Sequence, residues 1–174
     1  FGDAAAATLI STDGFASIGD FSLGTDGRGA NNLIVKTGGM RHPEKADDLT
    51  FDESGNPRSS DYLFMAGTEI FNFTLEAVPP LVNNTLEKNS LKKEDISLFV
   101  FHQANKYIMN FLRKKIGIDE DKFFYCLQNV GNTVSSTIPI ALREARDQGI
   151  LAGHVLLAGF GVGYSWGGVV LTTK

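Results

Sequence analysis

The sequence contains a single cysteine in 174 residues, Cys126, so an internal disulfide is excluded and a reducing, cytoplasmic setting is expected. No apolar run approaches the ~20 residues that span a bilayer, which argues against a transmembrane helix. Charge of one sign is not in great excess: 16 basic against 20 acidic residues leave a net charge of -4. That is too mild for wrapping nucleic acid, and any basic patch must be local. The opening Phe1-Gly2-Asp3-Ala4 has no Met, no basic leader and no signal-like apolar core. The chain reads as a fragment whose start lies upstream. What is present is ordinary for a globular protein, with 43% hydrophobic residues and a mean hydropathy near zero. The length suits one domain.

The most informative stretch is Phe99-Val100-Phe101-His102-Gln103-Ala104-Asn105. An apolar strand, Ile96 to Phe101, ends on His just where an amphipathic helix begins, which makes the imidazole available for chemistry. From Asn105 to Ile116, Ile108, Met109, Leu112 and Ile116 share one face, with Lys106, Asn110, Arg113 and Lys114 on the other, and Gly117 closes the helix. Lys106, Arg113, Lys114 and Lys115 form a basic face on an acidic chain. From composition alone, a solvated face with cations near a helix carboxyl end accounts for it. A second stretch, Asn129-Val130-Gly131-Asn132-Thr133, precedes a helical pattern from Val134 to Gln148 that ends at Gly149. Asn132 is either an N-cap or a polar group presented beside a helix amino terminus, where free N–H groups favour negative charge.

The remaining chain reads more plainly. Ala4 to Ala7 and Thr8 to Ser11 suggest a tightly packed strand ending in the Asp13-Gly14 turn, with an Ala-rich helix start as the alternative. Phe21 to Asp61, rich in glycine and holding Pro43 and Pro57, is an excursion around a short strand at Leu33-Ile34-Val35, with His42 in a surface loop. Tyr62 to Asn89 has helical periodicity, and Pro79-Pro80 predicts a kink or restart within it. Lys122 to Gln128 is a strand candidate. The chain finishes with strands His154 to Ala158 and Tyr164 to Thr172 around Gly159-Phe160-Gly161-Val162-Gly163, with His154 expected to be exposed. That glycine link is either a hairpin turn or a place where backbone N–H groups approach an oxyanion.

Taken in order, His102-Gln103-Ala104-Asn105, Gly131-Asn132-Thr133 and Gly159 to Gly167 closely resemble β-ketoacyl-acyl carrier protein synthase III. So do the opening Phe1 to Ala6 and Met65-Ala66-Gly67. The resemblance implies an α/β thiolase-like fold, of which this chain is the carboxyl-terminal half: a mixed five-stranded sheet with helices, plus the last strand of the missing amino-terminal half. The implied boundaries are 1–23 for the end of the amino-terminal half, 24–61 for a connecting excursion and 62–174 for the carboxyl-terminal half. The resemblance also implies an acyltransferase that loads an acyl group from acyl-CoA onto a cysteine. It then decarboxylates malonyl-acyl carrier protein and joins the two, in the initiation of fatty acid biosynthesis, with no cofactor and no metal. The nucleophile lies in the missing half. Cys126, on an apolar strand, does not match it and is expected to be a packed, inert thiol.

By the same resemblance, His102 and Asn132 hold the malonyl thioester carbonyl, where each donor aimed at developing negative charge is worth ~3 kcal/mol. Val162, where relatives often carry glycine, supplies a main-chain N–H to the oxyanion site, and Phe160 is the aromatic beside the malonyl carboxylate. Asn105, Gly67 and Phe71 line the pantetheine channel. Lys114 and Lys115 match the docking face for the acidic carrier protein, and Lys106 and Arg113 extend it. Tyr107 stands where the family often has arginine. The expected partners are acyl carrier protein, acyl-CoA, and either a second copy of the chain or the missing amino-terminal half, with no nucleic acid and no membrane. Alone, the chain is expected to be inactive in full condensation. Two alternatives stay open: a related thiolase-fold synthase of specialised metabolism, and a non-catalytic carrier-protein-binding subunit.

Overall fold

A computed structural model describes all 174 residues. In order the chain forms β1 (Ala16–Ile18), β2 (Ser22–Thr25), β3 (Leu33–Ile34), β4 (Thr50–Phe51), β5 (Pro57–Arg58) and β6 (Phe64–Met65). Then come α1 (Gly67–Lys88), β7 (Ile96–Phe101), α2 (Lys106–Ile116), α3 (Thr137–Asp147), β8 (His154–Gly161) and β9 (Ser165–Thr173). Two compact units result. The first comprises residues 1–24, 74–160 and 166–174, and the second residues 25–73 and 161–165. No helix is long and apolar enough to cross a membrane.

The first unit is built on a mixed five-stranded sheet of order β1-β9-β8-β7, with β2 also paired to β9. β1 runs antiparallel to β9, and β7 parallel to β8. Five of the six β7 residues are buried, as expected of a parallel strand covered on both faces. On one side Leu98, Val100, Val155 and Leu171 pack with Ala141 and Ala145 of α3. On the other, α1 lies so close to β9 that a Cβ at Gly168 would overlap Thr85 and press on Leu81. Parallel pairing sends β7 and β8 out of the sheet at the same end. His102, just past β7, donates its N–H to the Ala158 carbonyl of β8 at 2.8 Å.

Three local expectations give way. The strand expected over Ala4 to Ser11 does not form, because no neighbouring strand offers it a ladder; Leu9 is 88% exposed and Ile10 68%. The helix expected from Tyr62 begins at Gly67, its first residues being drawn into β6, which pairs with β3. The strand expected over Lys122 to Gln128 is reduced to one bridge, Phe123 to Phe99, for a reason that lies in Gln103 and is given below. His154 opens β8 as expected but is half-buried, its Nδ1 2.9 Å from Thr172 Oγ1. β1 belongs to the same sheet as β7 and β8, and the last segment of the second unit is 161–165.

Pro79 and Pro80 do not break α1, which runs through them as one assigned helix. Pro79 has no N–H to offer the carbonyl of Leu75, its i-4 partner. Lys115 of α2 takes that place, its Nζ donating to the Leu75 carbonyl at 3.0 Å.

The second unit holds together through aspartates more than through apolar packing. Asp26 pairs with Arg28 at 2.6 Å, Asp52 pairs with Arg58 at 2.9 Å, and Asp48 accepts bonds from Ser59 and Ser60. Their hydrogen bonds hold all three carboxyls at about 2, well below the usual value of 3.8. An aromatic pair supplies the apolar part: Tyr164 stacks on Phe73 at 4.0 Å and accepts a bond from Asn32 Nδ2 at 2.6 Å.

Candidate active site

His102 and Asn132 come together at Val134. The Nδ1 of His102 is 2.7 Å from the Thr137 hydroxyl, which donates to the Val134 carbonyl at 2.9 Å. From the other side of the same residue, the Val134 N–H donates to Asn132 Oδ1 at 2.9 Å. Each side chain is thereby anchored by one end. His102 Nε2 and Asn132 Nδ2 make no hydrogen bond within the protein, so each is available to a ligand. Phe160 packs edge-on to the imidazole with ring centroids 5.5 Å apart. This apolar neighbour and the surrounding burial push the imidazole pKa below its ordinary 6.5, while hydrogen bonding to the Val134 backbone acts in the opposite direction.

Holding Val134 this way requires unusual backbone. Its φ is +57°, in the left-handed region that β-branched residues avoid. Asn132 is therefore not the N-cap of α3, a position filled by Ser136; it closes a turn around Val134 five residues before the helix. The opening segment braces this turn, with Gly2 N–H donating to the Asn132 carbonyl at 2.8 Å and Ser136 Oγ donating to the Ala4 carbonyl at 3.3 Å. Gly2 lies so close to Val130 that a Cβ there would overlap its carbonyl.

Gln103 joins the two motif-bearing segments, a role that sequence reading missed. It is 1% exposed. Its Nε2 donates to the carbonyls of Phe101 and Phe124 at 2.8 and 3.3 Å, and its Oε1 accepts from the Cys126 N–H at 2.6 Å. A side-chain amide thus takes the backbone groups that a strand neighbour would take, which is why residues 124–128 run beside β7 without forming a ladder. The run of apolar residues before Gln103 was the available signal: a glutamine inside such a run is buried, and a buried amide must find partners.

The other expected site residues fall into three groups. Asn105 caps α2, accepting the Ile108 N–H at 2.9 Å. Gly67, Phe71 and Val162 lie in the second unit, with Gly67 and Val162 exposed and Phe71 half-buried. Of the four cations on α2, Lys106 and Lys114 are exposed and make no bond within the protein. Lys115 serves α1. The Arg113 side chain is 12% exposed and turned inward, donating to the Ile118 carbonyl at 3.0 Å and to Asn110 Oδ1 at 3.2 Å. Cys126 is half-buried, and burial, followed by the nearby Glu144 charge, pushes its thiol pKa up, the opposite of what activates a nucleophile.

The chain is similar to known proteins. Residues 86–173 match the family model described as 3-oxoacyl-[acyl-carrier-protein] synthase III C terminal. The chain is 37% identical to the β-ketoacyl-[acyl-carrier-protein] synthase III of Clostridium acetobutylicum, over 98% of its own length and 51% of that protein's. Among solved structures, a 3-oxoacyl-(acyl-carrier-protein) synthase III superposes with a TM-score of 0.84 at 46% identity, covering 89% of this chain and 47% of that one. The priming β-ketosynthase of the R1128 polyketide biosynthetic pathway superposes with a TM-score of 0.74 at 30% identity, covering 90% and 45%. The chain spans about half the length of the curated relatives it matches. With its thiolase-like α/β fold and its match over half of its residues, the chain belongs to the 3-oxoacyl-[acyl-carrier-protein] synthase III family.

Proposed function

We propose that this chain supplies the carbonyl-activating part of a condensing acyltransferase that extends an acyl-CoA-derived starter with malonyl-acyl carrier protein, at the initiation of fatty acid synthesis. The observation that carries this is the meeting of His102 and Asn132 at Val134, each tethered by one end and open at the other. Two such groups suit a thioester oxygen. When the bond between the malonyl carboxylate and its methylene breaks, CO2 leaves and the electron pair moves onto that oxygen, where hydrogen-bond donors lower the barrier. Phe160 gives the departing carboxylate an apolar neighbour, which disfavours the charged form. Asn105, in the same unit as His102 and Asn132, is assigned to the pantetheine arm.

The acyl-holding thiol is supplied from outside these residues, because Cys126 is masked by burial and held by its backbone to Gln103. The exposed Leu9, Ile10, Phe15, Phe21 and Leu23 suit cover by a further polypeptide, either an amino-terminal half or a second copy. On α2, the carrier-docking role narrows to Lys106 and Lys114, since Arg113 and Lys115 are engaged in the fold. A second reading, a synthase of specialised metabolism, draws on the likeness to the priming β-ketosynthase, and an acyl-CoA panel distinguishes the two. A purely carrier-binding subunit has no use for the tethered pair.

The test is decarboxylation of a malonyl thioester by the chain and its variants. His102→Ala and Asn132→Ala should each lower the rate by about a hundredfold, which corresponds to ~3 kcal/mol of lost charge stabilisation. Equal rates in all three proteins would refute the proposal.

A further inference from the structure

The Thr137 hydroxyl has one proton and two neighbours. It lies 2.9 Å from the Val134 carbonyl, which can only accept, and 2.7 Å from His102 Nδ1, which either donates or accepts according to its tautomer. The Val134 carbonyl also accepts the Thr137 backbone N–H. When the hydroxyl gives its proton to that carbonyl too, the side of Oγ1 facing the imidazole presents lone pairs and the ring brings its own proton to the contact. We propose that Thr137 fixes the tautomer of His102, holding the proton on Nδ1 and leaving Nε2 a hydrogen-bond acceptor until the ring takes up a second proton. Thr137 is then a positioning residue. It touches no substrate, and it acts by deciding what the open nitrogen of His102 offers.

The consequence, which rests on reading His102 as a carbonyl-binding group, is that the resting site is not yet a donor site. A neutral Nδ1–H imidazole has only a lone pair at Nε2 and cannot donate to a thioester oxygen. It becomes a donor there as the imidazolium, the extra proton coming from solvent. The charged groups on the segments flanking the site are Asp3, between Gly2 and Ala4 in the stretch that braces the Asn132 turn, and Lys106 at the start of α2. On α3 the charged residues Arg143, Glu144, Arg146 and Asp147 lie six or more positions beyond Thr137, roughly 9 Å or more along the helix. On β8 the one titratable group, His154, sits at the far end, occupied with Thr172. Phe160 and the turn around Val134 are uncharged. An anionic malonyl group arriving beside the ring adds a negative charge there and favours the imidazolium. Substrate binding and proton uptake are therefore coupled, and His102 is armed by the group it acts on.

The experiment is nitrogen-15 NMR of histidine-labelled chain above the imidazole titration, on the native protein, Thr137→Ser and Thr137→Val. The native protein and Thr137→Ser should show a protonated Nδ1 and a bare Nε2 at His102, whereas Thr137→Val should populate the opposite tautomer. Thr137→Ala gives the same readout should valine pack poorly. Malonyl-thioester decarboxylation should fall about tenfold per pH unit above the imidazole titration in the native protein and in Thr137→Ser, and distinctly less steeply in Thr137→Val, whose neutral ring can donate. A protonated Nε2 in the neutral native protein, or an unchanged tautomer in both Thr137→Val and Thr137→Ala, overturns the proposal. If the tautomer shifts as described while no protein decarboxylates, the role of Thr137 stands and the carbonyl-binding reading of His102 falls.

Discussion

Lys115 occupies, at 3.0 Å, the Leu75 carbonyl that the Pro79 ring leaves without a partner in α1. A cation on one helix thus repairs a defect in another and joins the two. Lys115→Met should cost about 1 kcal/mol, the usual scale for a charge-assisted bond at a partly exposed site. In a Pro79→Ala background the helix regains its own N–H donor, and the same substitution should cost much less. A double-mutant cycle followed by urea unfolding reads the difference. Additive costs would mean that the lysine and the proline act independently.

Gln103 carries the largest stability prediction. Gln103→Leu keeps approximate volume but strands the Phe101 and Phe124 carbonyls and the Cys126 N–H. With roughly 1–3 kcal/mol at stake for each buried unpaired group and partial relief by water, a loss of about 3 kcal/mol is expected in equilibrium unfolding. Hydrogen exchange should localise the effect, with the Cys126 amide losing protection before the β7 ladder does.

Much of this was legible in the residues, and the failures have a common cause. β7, α2, α3, β8 and β9 announce themselves by apolar periodicity, and His102 is placed by the strand that ends on it. Reading fails where one segment's structure depends on a distant partner. The Thr8 to Ser11 segment has strand-forming residues and no neighbour to pair with. Residues 124–128 have an alternating pattern whose ladder is replaced by a side chain more than twenty positions away. Pro79 and Pro80 announce a break that Lys115 prevents. On the basic face of α2, composition cannot separate Lys106 and Lys114, which face solvent, from Arg113, which caps its own helix end, because these three cations share one surface of the helical wheel while Lys115 lies opposite Lys106.

Val134 stores backbone strain at the junction of the two site residues. Its φ of +57° costs a β-branched residue roughly 1–3 kcal/mol, and its side chain is mostly exposed, so little packing is lost when it is replaced. Val134→Asn, which tolerates this region, should stabilise the protein by about 1 kcal/mol and raise the melting temperature accordingly. A lower melting temperature would show that the valine side chain makes contacts worth more than the strain. Decarboxylation should be retained, because the backbone N–H and carbonyl that tether Asn132 and Thr137 stay in place.

His102 also makes the fold pH-sensitive in a defined direction. Burial lowers its pKa below 6.5, so the folded protein disfavours the imidazolium relative to the unfolded chain. Below 6.5 the unfolded chain binds the proton more readily. The stabilising contribution is therefore full above 6.5 and is lost as pH falls through the lower folded-state value. Urea midpoints measured between pH 7.5 and 5 should fall more steeply for the native protein than for His102→Gln, which has no proton to take up. Parallel slopes would place the imidazole in a solvated setting, and would remove the reason why an arriving anion, rather than bulk acid, is needed to charge it.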